Sequence, residues 1–168
     1  MTIRGFHAVC IAVGLLLGSV AGAAAPARPA LEIQTLDGKT FNLAAQRGKW
    51  VIVNFWATWC SPCIAEMPAI SKYVATHRHV TAIGLAYDRT PRDEIVEFAR
   101  KHPVDYPLAQ LDLDHPPAGL AMPAGLPTTY LIAPDGHVAQ HFVGPVNAKM
   151  LDAAIAAAGA RGSAPPGH

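Results

Sequence analysis

Hydrophobic and polar residues alternate along the chain in patterns that predict strands and helices in turn. Residues 31–43 alternate around Asp37-Gly38, which predicts a β-hairpin with a two-residue turn. Residues 51–56 form a β-branched and aromatic run that is typical of a buried strand. Apolar residues then recur at spacings of three and four, which predicts an amphipathic helix over residues 61–77.

The middle of the chain repeats this order of strand and helix. Residues 80–86 predict a second buried strand. Thr90 as the N-cap and Pro91 at the first helical position predict a second helix. The proline-rich residues 103–126 predict a loop, with one short strand near residues 106–109.

The C-terminal part of the chain predicts a hairpin followed by a last helix. Residues 128–133 predict a third core strand, and a Pro-Asp-Gly turn leads into an antiparallel partner at residues 137–143. Residues 147–158 predict the terminal helix. This order of elements, without internal repeats, predicts an α/β domain in which a mixed central sheet carries helices on both faces.

The N-terminus has the layout of an export signal. Arg4 precedes an apolar run at residues 8–20, and small residues follow, which predicts a signal peptide cleaved after residue 23, 24 or 25. The alternative is an uncleaved membrane anchor, because residues 5–27 carry no charged side chain. Either interpretation places the rest of the chain in the periplasm or another extracytoplasmic compartment.

These patterns divide the chain into four segments. They are a signal peptide or anchor at residues 1–25, a linker at 26–30, the α/β domain at 31–158 and a disordered tail at 159–168.

Charge and cysteine content narrow the classes of function. The chain has 13 basic and 12 acidic residues, and Arg4 lies in the export segment, so 12 of each remain. A neutral domain offers no basic surface for nucleic acid or for anionic lipid. Of three cysteines, Cys10 lies in the export segment, which leaves Cys60 and Cys63. A disulfide scaffold would carry more cysteines at wider spacings.

The remaining cysteines form a Cys-x-x-Cys pair where the first core strand turns into a helix. Unpaired backbone N–H groups and the helix dipole at that end stabilise a thiolate. We therefore expect the pKa of Cys60 to fall from ~8.5 to ~7. Cys60 is the predicted nucleophile that forms a mixed disulfide, and Cys63 is the predicted resolving thiol.

Two other interpretations of the pair are weaker. A purely structural disulfide would close so short a loop that it would remove little chain entropy. A zinc site would need four ligands, and His137 with His141 resembles half of one. Those histidines follow a hairpin far along the chain, so we expect them to be solvated strand residues.

Two motifs make the chain resemble the TlpA-like branch of the thioredoxin superfamily, which includes ResA and the cytochrome c-maturation reductases. The first is VNFWATWCSPCIAEMP at residues 53–68, and the second is GLPTTY at residues 125–130. The resemblance spans about residues 31–158. It implies a thioredoxin-like fold with an N-terminal β-hairpin and a helix bent at Pro68.

The resemblance also assigns site residues. Pro127 takes the position of a cis proline opposite the cysteines, which leaves the backbone of Leu126 free to pair with an extended partner. The buried aspartate of thioredoxin is Asn54 here, which cannot transfer a proton. Glu66 takes the position of the family's glutamate, three residues past Cys63, where it could accept the resolving proton. The alternative is a solvent-facing glutamate.

Further residues around the pair are expected to contact protein partners. They are Trp59, Ser61, Pro62, Leu126 and Thr128. Trp56 is expected either to shape the same surface or to fill the core. Tyr87 and Asp88 end a core strand close to the site, and no role is assigned to them.

The expected function is dithiol–disulfide exchange with protein partners, with the Cys60–Cys63 disulfide as the redox group and no bound cofactor. The resemblance implies a reductant that a membrane electron donor supplies and that serves apocytochrome c or a copper-site protein. One alternative is a peroxiredoxin, although the Pro-x-x-x-Thr-x-x-Cys setting is absent. The other is a Sco-type copper chaperone, whose cysteines are spaced differently.

Overall fold

The structure is a computed structural model that describes residues 28–162, with only the backbone of residues 161 and 162. The predicted export segment and the end of the predicted tail lie outside the described residues. The strands are β1 (Glu32–Gln34), β2 (Thr40–Asn42), β3 (Trp50–Trp56), β4 (Val80–Ala86), β5 (Leu108–Gln110), β6 (Thr128–Ile132) and β7 (Val138–Val143). The helices are α1 (Ser61–Thr76), α2 (Arg92–Lys101) and α3 (Ala148–Gly162).

The central sheet has five strands in the order β5-β4-β3-β6-β7. The β3 strand runs parallel to β4 and antiparallel to β6, so the sheet is mixed, as predicted. Trp56 at the end of β3 pairs with Ala86 at the end of β4, and Phe55 pairs with Thr128 at the start of β6. The segments that follow β3 and β4 therefore meet the segment that precedes β6 at one edge of the sheet.

The N-terminal hairpin forms from β1 and β2, but its turn differs from the prediction. Gly38 N–H donates to Thr35 O at 3.1 Å, and Thr35 N–H donates to Lys39 O at 2.8 Å. The loop therefore contains three residues, 36–38. Gly38 takes φ +83°, a conformation that favours glycine and that ends a type I turn in such loops.

All three helices pack on one face of the sheet, which corrects the prediction of helices on both faces. Buried Met67 of α1, Ile95 of α2 and Leu151 of α3 belong to the same apolar cluster. The opposite face is covered by the N-terminal hairpin and by the loop before β6, through residues such as Phe41 and Leu120. The connections from β3 to β4 and from β4 to β5 step in the same direction across the sheet. Because such parallel crossovers are right-handed, α1 and α2 are placed on the same side.

Two helix termini also differ from the predictions. Thr90 does not cap α2, whose N-cap is Pro91, because the Thr90 hydroxyl donates to Asp88 instead. The last helix continues to Gly162, so residues 159–162 of the predicted tail are helical and extend the alanine-rich residues 153–158 by one turn. Within residues 28–162, none of the helices has the length and apolar character needed to cross a membrane.

Candidate active site

A disulfide joins Cys60 and Cys63 at the turn between β3 and α1. Cys60 is the N-cap of α1, and its sulfur accepts a hydrogen bond from the Cys63 N–H at 3.3 Å. Cys60 N–H in turn donates to Ala57 O at 3.1 Å, which closes the turn. Cys60 is 4% exposed and Cys63 is fully buried, so Cys60 is the more accessible of the two cysteines.

This arrangement favours negative charge on the Cys60 sulfur once the disulfide is reduced. The first N–H groups of a helix have no intrahelical acceptor and point at the N-cap side chain. The helix dipole adds partial positive charge at the same end. The sequence prediction that Cys60 occupies a helix N-terminus is therefore confirmed, whereas its ionisation stays a prediction.

The loop before β6 contains a cis peptide bond between Leu126 and Pro127, as the resemblance implied. Pro127 O accepts a hydrogen bond from Gly144 N–H at 2.8 Å, which ties this loop to the end of β7. Because Thr128 pairs with Phe55 of β3, the loop lies at the same sheet edge as the disulfide turn. Leu126 is half-buried and contacts the apolar cluster that contains Cys60.

The surface around the disulfide includes most of the residues expected to contact partners. Trp59 is 68% exposed, and Ser61 and Pro62 are exposed beside it. The structure does not place Thr128 at this surface. Its side chain is fully buried and donates to Gly125 O, because β6 lies between two neighbouring strands. Trp56 is also fully buried, so it fills the core.

An open groove of about 410 Å³ lies beside Trp59. Tyr87, Leu113 and Met122 supply apolar surface to it, and Asp88 and Arg89 make part of its lining polar. The loop before β6 contributes the last two of those apolar residues, which the sequence indicated only as loop. This groove of mixed polar and apolar lining lies next to Trp59, one residue before Cys60, and provides a surface for a partner side chain.

Glu66 is buried on α1, one helical turn after Cys63, which excludes the solvent-facing alternative. Its carboxylate accepts hydrogen bonds from Asn54 Nδ2 and from Val146 N–H, both at 2.8 Å. Burial raises the pKa of Glu66 above its ordinary value, although the two hydrogen bonds oppose that effect. A buried carboxyl group one helical turn after the resolving cysteine is placed to exchange a proton with its thiol.

No sequence pattern indicated a role for Asp88. Its carboxylate accepts four hydrogen bonds, from the N–H and the hydroxyl of both Thr58 and Thr90, at 2.6–3.0 Å. Thr58 lies two residues before Cys60, so Asp88 fixes the active-site turn to the end of β4. Burial acts to raise the pKa of Asp88, but these hydrogen bonds outweigh it, and the pKa lies below its ordinary value.

We expect Asp88→Asn to destabilise the protein by about 2–3 kcal/mol at neutral pH, because an amide NH₂ would face two of the four donors. Since the folded-state pKa is lowered, this stabilisation is present above the pKa of about 3.9 for unfolded Asp and is lost as pH falls through the lower folded value. Urea unfolding at pH 7 and near pH 3 measures the difference.

The control for this prediction is Asp114→Asn, which removes the same charge from an exposed side chain. It should cost little at either pH. An Asp88→Asn variant that is as stable as the parent at pH 7, or equally destabilised at both pH values, would contradict the account of this carboxylate.

The two histidines that resembled half of a zinc site each have another partner. His137 Nδ1 lies 2.5 Å from Asp135 Oδ1, and the His141 ring stacks on Tyr130 with centroids 4.3 Å apart. Across residues 28–162, no group of three or more His, Cys, Asp or Glu side chains is arranged to hold a metal ion.

Comparison with known proteins adds to this geometry. Residues 22–141 match the AhpC/TSA family. The chain belongs to that family. Within it, the chain is 30% identical over 125 residues to the thiol-disulfide oxidoreductase ResA of Bacillus thuringiensis, covering 74% of this chain and 72% of the relative. It is thus a ResA-like thiol–disulfide oxidoreductase, and the disulfide at the helix N-terminus is the expected redox group of such an enzyme.

Solved structures agree with the ResA-like assignment. A thiol:disulfide interchange protein of the thioredoxin family from Chlorobium tepidum superposes with a TM-score of 0.66 at 28% identity, covering 82% of this chain and 99% of that one. A secreted disulfide oxidoreductase of Mycobacterium tuberculosis, homologous to E. coli DsbE, gives 0.59 at 27% identity, covering 76% and 95%. The thioredoxin-like fold of this ResA-like chain is therefore confirmed.

Proposed function

We propose that this ResA-like protein is an exported reductant of disulfides in protein partners. The observation that carries the proposal is the Cys60–Cys63 disulfide at the N-terminus of α1, beside cis Pro127 and exposed Trp59. Cys60 attacks a partner disulfide and forms a mixed disulfide, and Cys63 then displaces the reduced partner. Glu66 receives the proton that Cys63 loses.

An extended partner segment fits the surface beside the disulfide. The backbone of Leu126 lies in the loop beside the end of β3, where it can pair with an added strand. Ser61 and Pro62 are exposed at the start of α1, and Trp59 with its groove offers apolar contact. A partner is therefore expected to place an apolar side chain against Trp59, next to its target cysteine.

The direction of electron transfer and the cellular location of the protein are inferred from the resemblance. A dithiol in an oxidising compartment persists only if a donor re-reduces it, and the proposed donor is a membrane protein. The proposed partners are apocytochrome c or a copper-site protein. The export segment at residues 1–25 supports an extracytoplasmic location, and one structural relative is described as secreted. The exchange itself needs no bound cofactor, because the disulfide is the redox group.

The experiment compares reduced protein acting on a disulfide-bonded peptide and on hydrogen peroxide. We expect fast reduction of the peptide, slow reaction with peroxide, and a potential closer to the ~−270 mV of thioredoxin than to the ~−120 mV of DsbA. Fast peroxide reduction with little peptide reduction would instead indicate a peroxiredoxin. Tight copper binding that disappears in the Cys60→Ser/Cys63→Ser variant, without disulfide exchange, would indicate a copper chaperone.

A further inference from the structure

Asn54 sits at the centre of a buried polar cluster next to Glu66. Its amide nitrogen donates to Glu66 Oε1 at 2.8 Å and to Thr129 Oγ1 at 2.9 Å, so both of its hydrogens are used. The second carboxylate oxygen of Glu66 accepts from the Val146 backbone. All three side chains are buried, which makes each unmade hydrogen bond costly.

This arrangement suits an ionised Glu66, because both of its oxygens accept. The same arrangement leaves one acceptor and one donor without a hydrogen-bond partner. Asn54 Oδ1 is buried without a hydrogen-bond partner, and it is one of a few such atoms within residues 28–162. The Thr129 hydroxyl accepts from Asn54, so its own hydrogen remains available to donate.

We propose that Asn54 is a positioning residue whose side-chain amide rotates by about half a turn whenever Glu66 gains or loses a proton. Rotation places Oδ1 where Nδ2 was, between Glu66 and Thr129. The protonated carboxyl O–H and the Thr129 hydroxyl can then both donate to it. Thr129 reverses its role from acceptor to donor, which a hydroxyl can do and a fixed amide cannot.

The rotation gives Glu66 a matched partner in both protonation states. With the amide fixed, the O–H of a protonated Glu66 would face the Asn54 NH₂ group, and a buried donor would lack an acceptor. In each orientation the unpartnered group belongs to Asn54 itself, Oδ1 beside the ionised carboxylate and the amide N–H groups beside the protonated one, so Glu66 keeps a hydrogen bond in both states.

This inference rests on the proposed function, in which the proton comes from Cys63. The Cys63 thiol attacks the Cys60 sulfur of the mixed disulfide, the Cys60–Cys63 bond forms, and the bond to the partner sulfur breaks with its electron pair on that sulfur. The thiol proton passes to Glu66 and then to the departing partner thiolate. Electrons and protons balance without a further reactant.

Other ionisable groups around Glu66 come from two elements. Cys60 and Cys63 precede it on α1 and do not titrate while they form the disulfide. Tyr106, in the segment before β5, has its pKa raised by burial and by the charge on Glu66. A tyrosine with a raised pKa stays neutral across the range in which Glu66 titrates, so the oxidised protein reports Glu66 and Asn54 alone.

The first test is an NMR titration of the oxidised wild-type protein. The ¹³C resonance of the Glu66 carboxyl gives its midpoint, and the ¹⁵N and ¹H resonances of the Asn54 side-chain amide are followed in the same samples. We expect the Asn54 signals to shift between two limits with the midpoint of Glu66. Asn54 signals that stay constant through the Glu66 titration would overturn the inference.

The second test compares two nearly isosteric variants by the same titration. In Asn54→Leu, ionised Glu66 loses a charge-assisted hydrogen bond, whereas protonated Glu66 loses a weaker, neutral one. The midpoint of the Glu66 titration should therefore rise by about one pH unit. Thr129→Val removes one bond from Asn54 in both orientations, so the midpoint should stay within about half a unit. Equal shifts in the two variants, or none in Asn54→Leu, would contradict the proposal.

Thr128→Val is a matched control, since it deletes a buried hydroxyl that bonds Gly125 rather than Asn54. It should leave the Glu66 midpoint unchanged. All these titrations use the disulfide form without substrate, so their outcome is separate from the catalytic assays. If the proposed reductase activity is absent, the dependence of the Asn54 signals on the Glu66 titration can still be measured. If the enzyme is active but the Asn54 signals do not follow Glu66, only this inference is overturned.

Discussion

A Cys63→Ser variant should accumulate a stable mixed disulfide with its substrate, whereas a Cys60→Ser variant should form none. The turnover rate of both variants should fall to the uncatalysed background. Cys60 caps α1 and is the less buried of the two cysteines. Serine at position 63 cannot displace the captured partner, and serine at position 60 removes the attacking sulfur.

The measurement is incubation of each reduced variant with a disulfide-bonded peptide, acid quenching and intact-mass analysis. The two variants control for each other, because each removes one sulfur from the same turn. Equal amounts of adduct in both variants, or adduct only in Cys60→Ser, would contradict the assigned roles. Recovery of endogenous partners on Cys63→Ser would identify the physiological substrates.

Glu66→Gln should slow the release of the mixed disulfide by about a hundredfold at pH 7, with a smaller effect on its formation. Glutamine keeps an acceptor for Val146 N–H but cannot take the proton of the Cys63 thiol. Because burial raises the folded-state pKa of Glu66, the wild-type release rate should rise with pH as the carboxyl ionises, and the variant should lack that step.

Quenched-flow decay of the mixed disulfide between pH 5 and 9 measures both effects. Glu94→Gln, which removes the same charge from an exposed position on α2, is the control and should match the wild type. A Glu66→Gln variant with wild-type release and an unchanged pH profile would reduce Glu66 to a residue that packs α1 against the loop before α3.

The sequence predicted the parts of the fold that depend on local patterns. The β-branched run before Cys60, the spacing of apolar residues in α1 and the strand that begins at Thr128 all lie where they were expected. The cis bond at Pro127 followed from a family motif rather than from local physics. The helix arrangement was mispredicted because hydrophobic periodicity indicates that a face is buried, not which side of the sheet covers it.

Contacts between distant segments escaped the sequence analysis. Asp88 and Thr58 are 30 residues apart, and Glu66 and Val146 are 80 apart, so no local pattern shows that they meet. Thr128 was expected at the partner surface because it follows Pro127, but the side chain of a residue in the interior of a sheet is covered by its neighbours. Asn54 was interpreted only as the loss of a proton carrier, although its amide contacts both Glu66 and Thr129.

The stabilised thiolate of Cys60 is the claim on which the proposed chemistry depends. It is tested most directly by the rate of iodoacetamide modification of the reduced protein as a function of pH, with the modified cysteine identified by mass spectrometry. We expect Cys60 to react first, with a half-maximal rate near pH ~7, because the N-terminus of α1 favours its ionised form. A Cys60 that titrates at ~8.5 or above, or that reacts more slowly than Cys63, would contradict the mechanism.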